Sequence, residues 1–127
     1  MLPVTGARIR IELPRPIVSV RVRTATANTV ADGMTCRVPD PDALAMIMVG
    51  ADRIVRVSDA EIVAAMRALW TDTHNLAEGA GAAAFAALMQ EREHMQGKRV
   101  AVILCGGNVD LPLALRVLAP EGIPEKA

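Results

Sequence analysis

With 127 residues, fourteen basic and fourteen acidic, the chain is formally neutral and lacks the cationic surface that nucleic acid recognition requires. One Trp, one Phe and no Tyr also exclude an aromatic platform for stacking unpaired bases. At 52% apolar and 22% charged, the composition is that of one soluble globular domain whose core is Ala, Val, Leu, Ile and Met. Seven Met in so short a chain indicate adaptable packing, or surface buried only against a partner.

In chain order, residues 1–24 form an extended N-terminal segment. Pro3, Pro14 and Pro16 exclude a long helix there. In "IVSVRVRT" Val18, Val20 and Val22 alternate with Ser19, Arg21 and Arg23, which predicts one half-exposed edge strand. The loop "TATANTVADGM" follows, with Asp32-Gly33 as its turn dipeptide. A short apolar helix is predicted from Asp42 to Val49, stopped by Gly50, and "RIVRV" reads as a short strand. Ser58 and Glu61 in "SDAE" spell a capping box, opening a helix to about Trp70 with Ile62, Met66 and Leu69 on one stripe.

"TDTHNLAEGAG" interrupts the pattern. "AAAFAALMQEREHM" resumes it as a helix ending before Gly97, whose small residues from Gly79 to Ala84 permit close approach to another backbone or a ligand. "KRVAVIL" is a near-continuous apolar run, as expected of a strand covered on both faces. "LPLALRVL" is the closing helix, and residues 119–127 are a frayed tail. This order predicts a single α/β domain with an open parallel sheet and flanking helices.

The turn "CGGN", Cys105 to Asn108, sits where open α/β sheets place ligands, beyond the carboxyl end of a strand. Gly106 and Gly107 let backbone approach a bound group, and Asn108 can cap the next helix. Taken alone, such a turn is more often a plain strand-to-helix connection. Cys105 alone is more simply a buried cysteine at a strand end than a nucleophile; a nucleophilic Cys105 would need a base, and the candidates are His74 and His94. His94 fits a surface position at a helix end equally well, and His74 fits a loop hydrogen-bonder. Glu78 is either a dipole partner at a helix start or a carboxylate facing a pocket, and Asp32 is most simply a turn residue. Cys36 and Cys105 match no metal-ligand spacing, and a reduced cytosolic pair is expected of them. "MLPVTGARIR" has no apolar core behind a basic start, and no apolar stretch reaches membrane-spanning length, so a cytoplasmic location is expected.

Together and in order, "NTVADGM", "GADRIVRVSDAEIVAAMRALWTDTHNLAEGAGAAAFAAL" and "GKRVAVILCGGNVDL" resemble the C-terminal part of threonine dehydratases and their serine racemase relatives. Those are fold-type II, tryptophan synthase β-like enzymes dependent on pyridoxal phosphate. The resemblance covers roughly Arg15 to Leu118, with a PLP-lyase-like region over 25–118. It implies pyridoxal phosphate as cofactor and a sheet that is the C-terminal portion of that fold, with an extra N-terminal strand. It also implies that Cys105, in place of the family's serine, hydrogen-bonds the pyridine nitrogen. Glu78 would then lie near the ring, and Gly33, with the glycines Gly106 and Gly107, would contribute backbone beside the cofactor.

The family's Schiff-base lysine and glycine-rich phosphate cradle have no counterpart here. Lys98 starts a strand and Lys126 lies in the tail. The expectation is therefore an ammonia-lyase-like fragment, inactive alone, whose opening "MLPVTGARIRIEL" is unlike family sequence and suggests a separately started reading frame or a rearranged gene. Its partners would be further copies of itself or a chain supplying the N-terminal half. The alternative is a non-catalytic, homo-oligomeric interaction or small-molecule-binding module built on the same fold.

Overall fold

The computed structural model describes residues 24–51 and 53–119. These fall into two compact units, one of residues 24–27 and 36–55, the other of 28–35 and 56–119.

The first unit is organised by helix α1, Pro41–Gly50. Asp40 stays extended, and its carboxylate accepts the amides of Asp42 at 3.0 Å and Ala43 at 2.9 Å, while Pro41 supplies a preset φ at the first position. Arg37 closes the unit: its carbonyl accepts the Thr24 amide at 3.2 Å, and its guanidinium donates to the Ala25 carbonyl at 3.3 Å. No residue of α1 is buried; Met46 is 70% and Val49 90% exposed.

The second unit packs three helices. Helix α2, Asp59–Thr73, begins with the capping box its sequence spells. The Glu61 carboxylate accepts the Ser58 amide at 2.7 Å, and the Ser58 hydroxyl accepts the Glu61 amide at 3.3 Å. Gln90 donates to the other Glu61 oxygen at 3.0 Å. The Ser58 amide, then the Ser58 hydroxyl and then Gln90 hold the Glu61 carboxyl below the usual range. The helix runs three residues past Trp70, to Thr73, and His74 caps it in a left-handed conformation at φ 56°, donating its amide to the Leu69 and Trp70 carbonyls. Helix α3, Gly79–Gln90, and helix α4, Leu111–Leu118, complete the unit.

Alanine dominates its core. Ile62, Ala65 and Met66 of α2 meet Ala82, Ala83 and Ala86 of α3, with Val117 of α4 and the loop residues Ala31 and Ala77 closing the ends. Alanine faces bring helix backbones close but bury little area per residue, so among the described residues Met66, at 1% exposure, is the one large side chain fully enclosed. The Arg67 guanidinium donates to the Val117 carbonyl and fastens the end of α4 to α2.

The expected parallel sheet is absent: among the described residues there are four α-helices and no strand. Residues 53–57 and 98–104, read as strands from their apolar, β-branched content, run as irregular backbone. The physical reason is that a strand is defined by its neighbour's ladder of hydrogen bonds, and among the described residues neither segment has one. Apolar β-branched content reports a preference for a covered, pleated surface, not the presence of the cover. Ile103, expected between two covering layers, is 78% exposed. The N-terminal strand expected within residues 1–24 lies outside the described residues, apart from Thr24.

If Met66 carries the core as its burial indicates, Met66→Ala lowers unfolding stability by about 2–5 kcal/mol. Met66→Leu, which keeps the volume, costs less than about 1.5 kcal/mol. Urea unfolding followed by helical circular dichroism measures both.

Candidate functional site

Three segments of the second unit converge at the start of α3: the turn carrying Gly33, the residues Ala77 to Gly81, and the turn from Cys105 to Asn108. Glycine permits the convergence. A Cβ placed on Gly79 would fall inside contact distance of the Val30 carbonyl oxygen, and one on Gly81 inside contact distance of the Gly106 carbonyl oxygen. Both neighbours are backbone and cannot rotate away, so no side chain larger than hydrogen fits at either position.

Gly33 lies in a single 3-10 turn, Asp32–Met34, that follows the buried Ala31. The Asp32 side chain accepts the Gly33 amide at 2.8 Å, and its carbonyl accepts the Thr35 amide at 2.9 Å and hydroxyl at 2.6 Å. Asp32 is thus the turn residue its sequence suggests. The loop before it is tied to the start of α2, where the Asp59 carboxylate accepts the Thr29 hydroxyl and, at 3.3 Å, the Val30 amide. Sequence reading gave Thr29 and Asp59 no role in the site, because a contact across thirty residues leaves no local pattern.

Glu78 occupies the N-cap position of α3 but does not cap it. Its side chain turns toward the glycine turn, where Oε2 accepts the Asn108 amide at 3.1 Å. Its own amide donates to the Gly106 carbonyl at 3.1 Å. The other oxygen, Oε1, stands where a Cβ on Gly106 would be and 3.8 Å from the position of one on Gly33. The carboxylate therefore lies between two of the glycines singled out from the sequence.

Cys105, directly before this turn, is an exposed free thiol, and Gly107 is also exposed. Asn108, expected to cap the following helix, does not: Asp110 caps α4 by accepting the Leu113 amide at 2.7 Å. With Pro112 in the first turn, the first free amide that a cap can satisfy lies three residues beyond Asp110. Neither histidine is drawn into the site as a base. The His74 ring nitrogen Nδ1 lies 3.1 Å from the Trp70 carbonyl, and His94 sits exposed in the turns after α3. Among the described residues no three His, Cys, Asp or Glu side chains are grouped to hold a metal ion.

Beside the Gly33 turn an open groove of about 360 Å³ is lined by residues that include Thr29, Asp32, Asp59, Asp110 and Arg116. Three carboxylates against one guanidinium make it a poor seat for a phosphate dianion. The glycine turns present the opposite character, backbone without side chains, which suits the flat face of a ring.

The backbone contacts give a direct expectation. Gly81→Ala costs about 1–3 kcal/mol by overpacking against the Gly106 carbonyl, although alanine is the better helix former. Ala84→Ser, on the exposed face of the same helix, changes stability by no more than about 0.5 kcal/mol. Urea unfolding of the two variants beside the parent distinguishes them.

Known proteins resemble this chain in sequence and in fold. A family model described as pyridoxal-phosphate dependent enzyme matches residues 12–106. An L-threonine ammonia-lyase of Thermotoga maritima is 31% identical over 110 residues, 84% of this chain and 27% of that protein. An L-threonine ammonia-lyase of Geobacter sulfurreducens is 38% identical over 103 residues, 80% of this chain and 25% of that protein. A beta-hydroxyaspartate dehydratase of Paracoccus denitrificans is 39% identical over 83 residues, 65% of this chain and 26% of that protein. The crystal structure of a pyridoxal 5'-phosphate-dependent aspartate racemase superposes with a TM-score of 0.61 at 33% identity, over 68% of this chain and 28% of that one. The chain thus spans about a quarter of the length of the curated relatives it matches. With the matched segment running through Gly33 and Glu78 to Gly106, it belongs to the pyridoxal-phosphate dependent enzymes, as a threonine-dehydratase-like C-terminal portion of the fold-type II group.

Proposed function

We propose that this chain forms the ring-facing wall of a pyridoxal phosphate site in a cytoplasmic ammonia-lyase acting on a small β-hydroxy amino acid such as threonine or serine. The observation that carries the reading is the convergence of Gly33, the Glu78 carboxylate and the Gly106–Asn108 turn at one place, in a chain of this family. When bound, the cofactor supplies an electron sink for bonds broken at the α-carbon of the amino acid.

The residues fit the ring end of that cofactor. At Gly33, Gly106 and Gly107 the Cβ direction is taken by the Ala80 methyl, the Glu78 carboxylate and the Leu76 carbonyl, so only backbone fits there, and an aromatic ring would meet it from the other side. Cys105 offers a thiol for the pyridine nitrogen, a weaker hydrogen-bonding group than a hydroxyl and one that places no full negative charge beside the ring. Glu78 holds the turn that presents the thiol. The phosphate end finds no such fit in the adjoining groove, whose charged lining is three carboxylates against the single guanidinium of Arg116. Lys98 is exposed, with its amide bonded back to the Met95 carbonyl, and stands seven residues ahead of Cys105. On this reading the 127 residues do not turn over substrate by themselves. A segment bearing the anchoring lysine and a phosphate grip, in the same polypeptide or in a partner, completes the site.

Cofactor titration, followed by cofactor fluorescence, tests the assignment. Cys105→Ser is expected to tighten binding about 2–10-fold and Cys105→Ala to weaken it, the span of one neutral hydrogen bond. Identical affinity in all three proteins would contradict it, as would turnover of threonine by the 127-residue chain that is lost in Lys98→Ala.

The exposed apolar side chains of α1, Met46 and Val49 among them, support a companion reading in which further copies, or the polypeptide that completes the site, cover them. Light scattering at micromolar concentration is expected to give a mass above that of one chain. A stable monomer contradicts self-association.

A further inference from the structure

We propose that Glu78 is a positioning residue, whose carboxylate fixes the Cys105–Asn108 turn relative to Gly33 and so sets where the thiol stands. The inference rests on the cofactor reading only for its consequence; the clamp itself is a property of the chain. An aspartate at an N-cap ordinarily accepts amides of its own helix, but the glutamate side chain is one methylene longer. Glu78 forgoes this and reaches the opposite loop, where Oε2 accepts the Asn108 amide at 3.1 Å. Its amide donates to the Gly106 carbonyl, also at 3.1 Å. One residue therefore grips the turn twice, by main chain and by side chain, on both sides of Gly107.

The remaining oxygen fills the space that glycine leaves at position 106 and lies 3.8 Å from the Cβ position of Gly33. The carboxylate thus acts as a spacer between the two turns as well as an anchor for one. Cys105 is covalently next to the gripped residue, and no other side chain bonds the 106–108 backbone among the contacts of this turn. An N–H donor to a carboxylate forms a charge-assisted bond, about twice as strong as a neutral one, so its loss is felt locally as freedom of the turn.

The test is amide hydrogen exchange, read by NMR on the nitrogen-labelled 127-residue chain without cofactor. Glu78→Ala removes the acceptor and is expected to accelerate Asn108 exchange at least about tenfold relative to the parent. Glu78→Gln keeps an oxygen in place and is expected to remain within about threefold. Alkylation of Cys105 by iodoacetamide should change rate in Glu78→Ala and return toward the parent rate in Glu78→Gln. Should Glu78→Ala lose its helical circular dichroism, Gly106→Ala serves instead, because its methyl displaces the carboxylate while Glu78 stays. It too is expected to expose the Asn108 amide. Unchanged Asn108 protection in whichever of Glu78→Ala and Gly106→Ala folds overturns the clamp. Pyridoxal phosphate titration of the parent separates the two proposals: a parent that binds no cofactor but shows the exchange pattern defeats the cofactor reading and leaves the clamp standing, and the reverse result does the opposite.

Discussion

The first turn of α3 is the place on which the rest of the second unit depends. There the Val30 and Gly106 carbonyls come so close to the helix backbone that Gly79 and Gly81 can carry no side chain. This is a steric constraint before it is an attraction. It allows two loops, distant in sequence, to reach the same helix end, and the hydrogen bonds of Glu78 then hold one of them there. Were either glycine replaced, the loops would have to retreat by the width of a methyl group. The fixed distance between the Gly33 turn and the Cys105 turn would be lost with them.

The alanine core serves the same end. Ala82, Ala83 and Ala86 keep α3 close against α2, and α2 in turn ties the Gly33 loop through Asp59 and Thr29. Met66 fills the one gap large enough to need a long side chain. Such a core buries modest apolar area, so its stability depends on capping and backbone contacts as much as on hydrophobic transfer. The Ser58–Glu61 box and the Asp110 cap are parts of the same economy, fixing the ends of helices whose faces contribute little. That the site wall is glycine backbone follows from the packing, and it is also what an aromatic cofactor ring would need.

The helices were legible in the sequence where a local rule fixes them. Helix α4 follows its apolar pattern residue for residue, and α2 starts at its capping box because Ser58 and Glu61 answer each other within one turn. The strands were not legible, because residues 53–57 and 98–104 carry the composition of a strand but no ladder among the described residues. Propensity describes a surface a segment would fit; only a neighbour makes it a strand. The site was legible in part. The ordered motifs named Gly33, Glu78, Cys105, Gly106 and Gly107, and two of these, Gly33 and Gly106, flank the carboxylate of a third, Glu78. The use of that carboxylate was not legible: nothing local to "LAEGAG" says that Glu78 turns from its own helix to the Asn108 amide, or that Asp110 in place of Asn108 caps α4.

The most direct test of the account is whether the two glycine turns meet at the start of α3 in solution. Nuclear Overhauser contacts answer it. The account predicts cross-peaks from the Gly33 α-protons to the Ala80 methyl, since a Cβ on Gly33 would lie 3.2 Å from that carbon, and from the Gly81 α-protons to the Gly106–Gly107 backbone. Assigned spectra of the folded chain in which both sets are missing would contradict it.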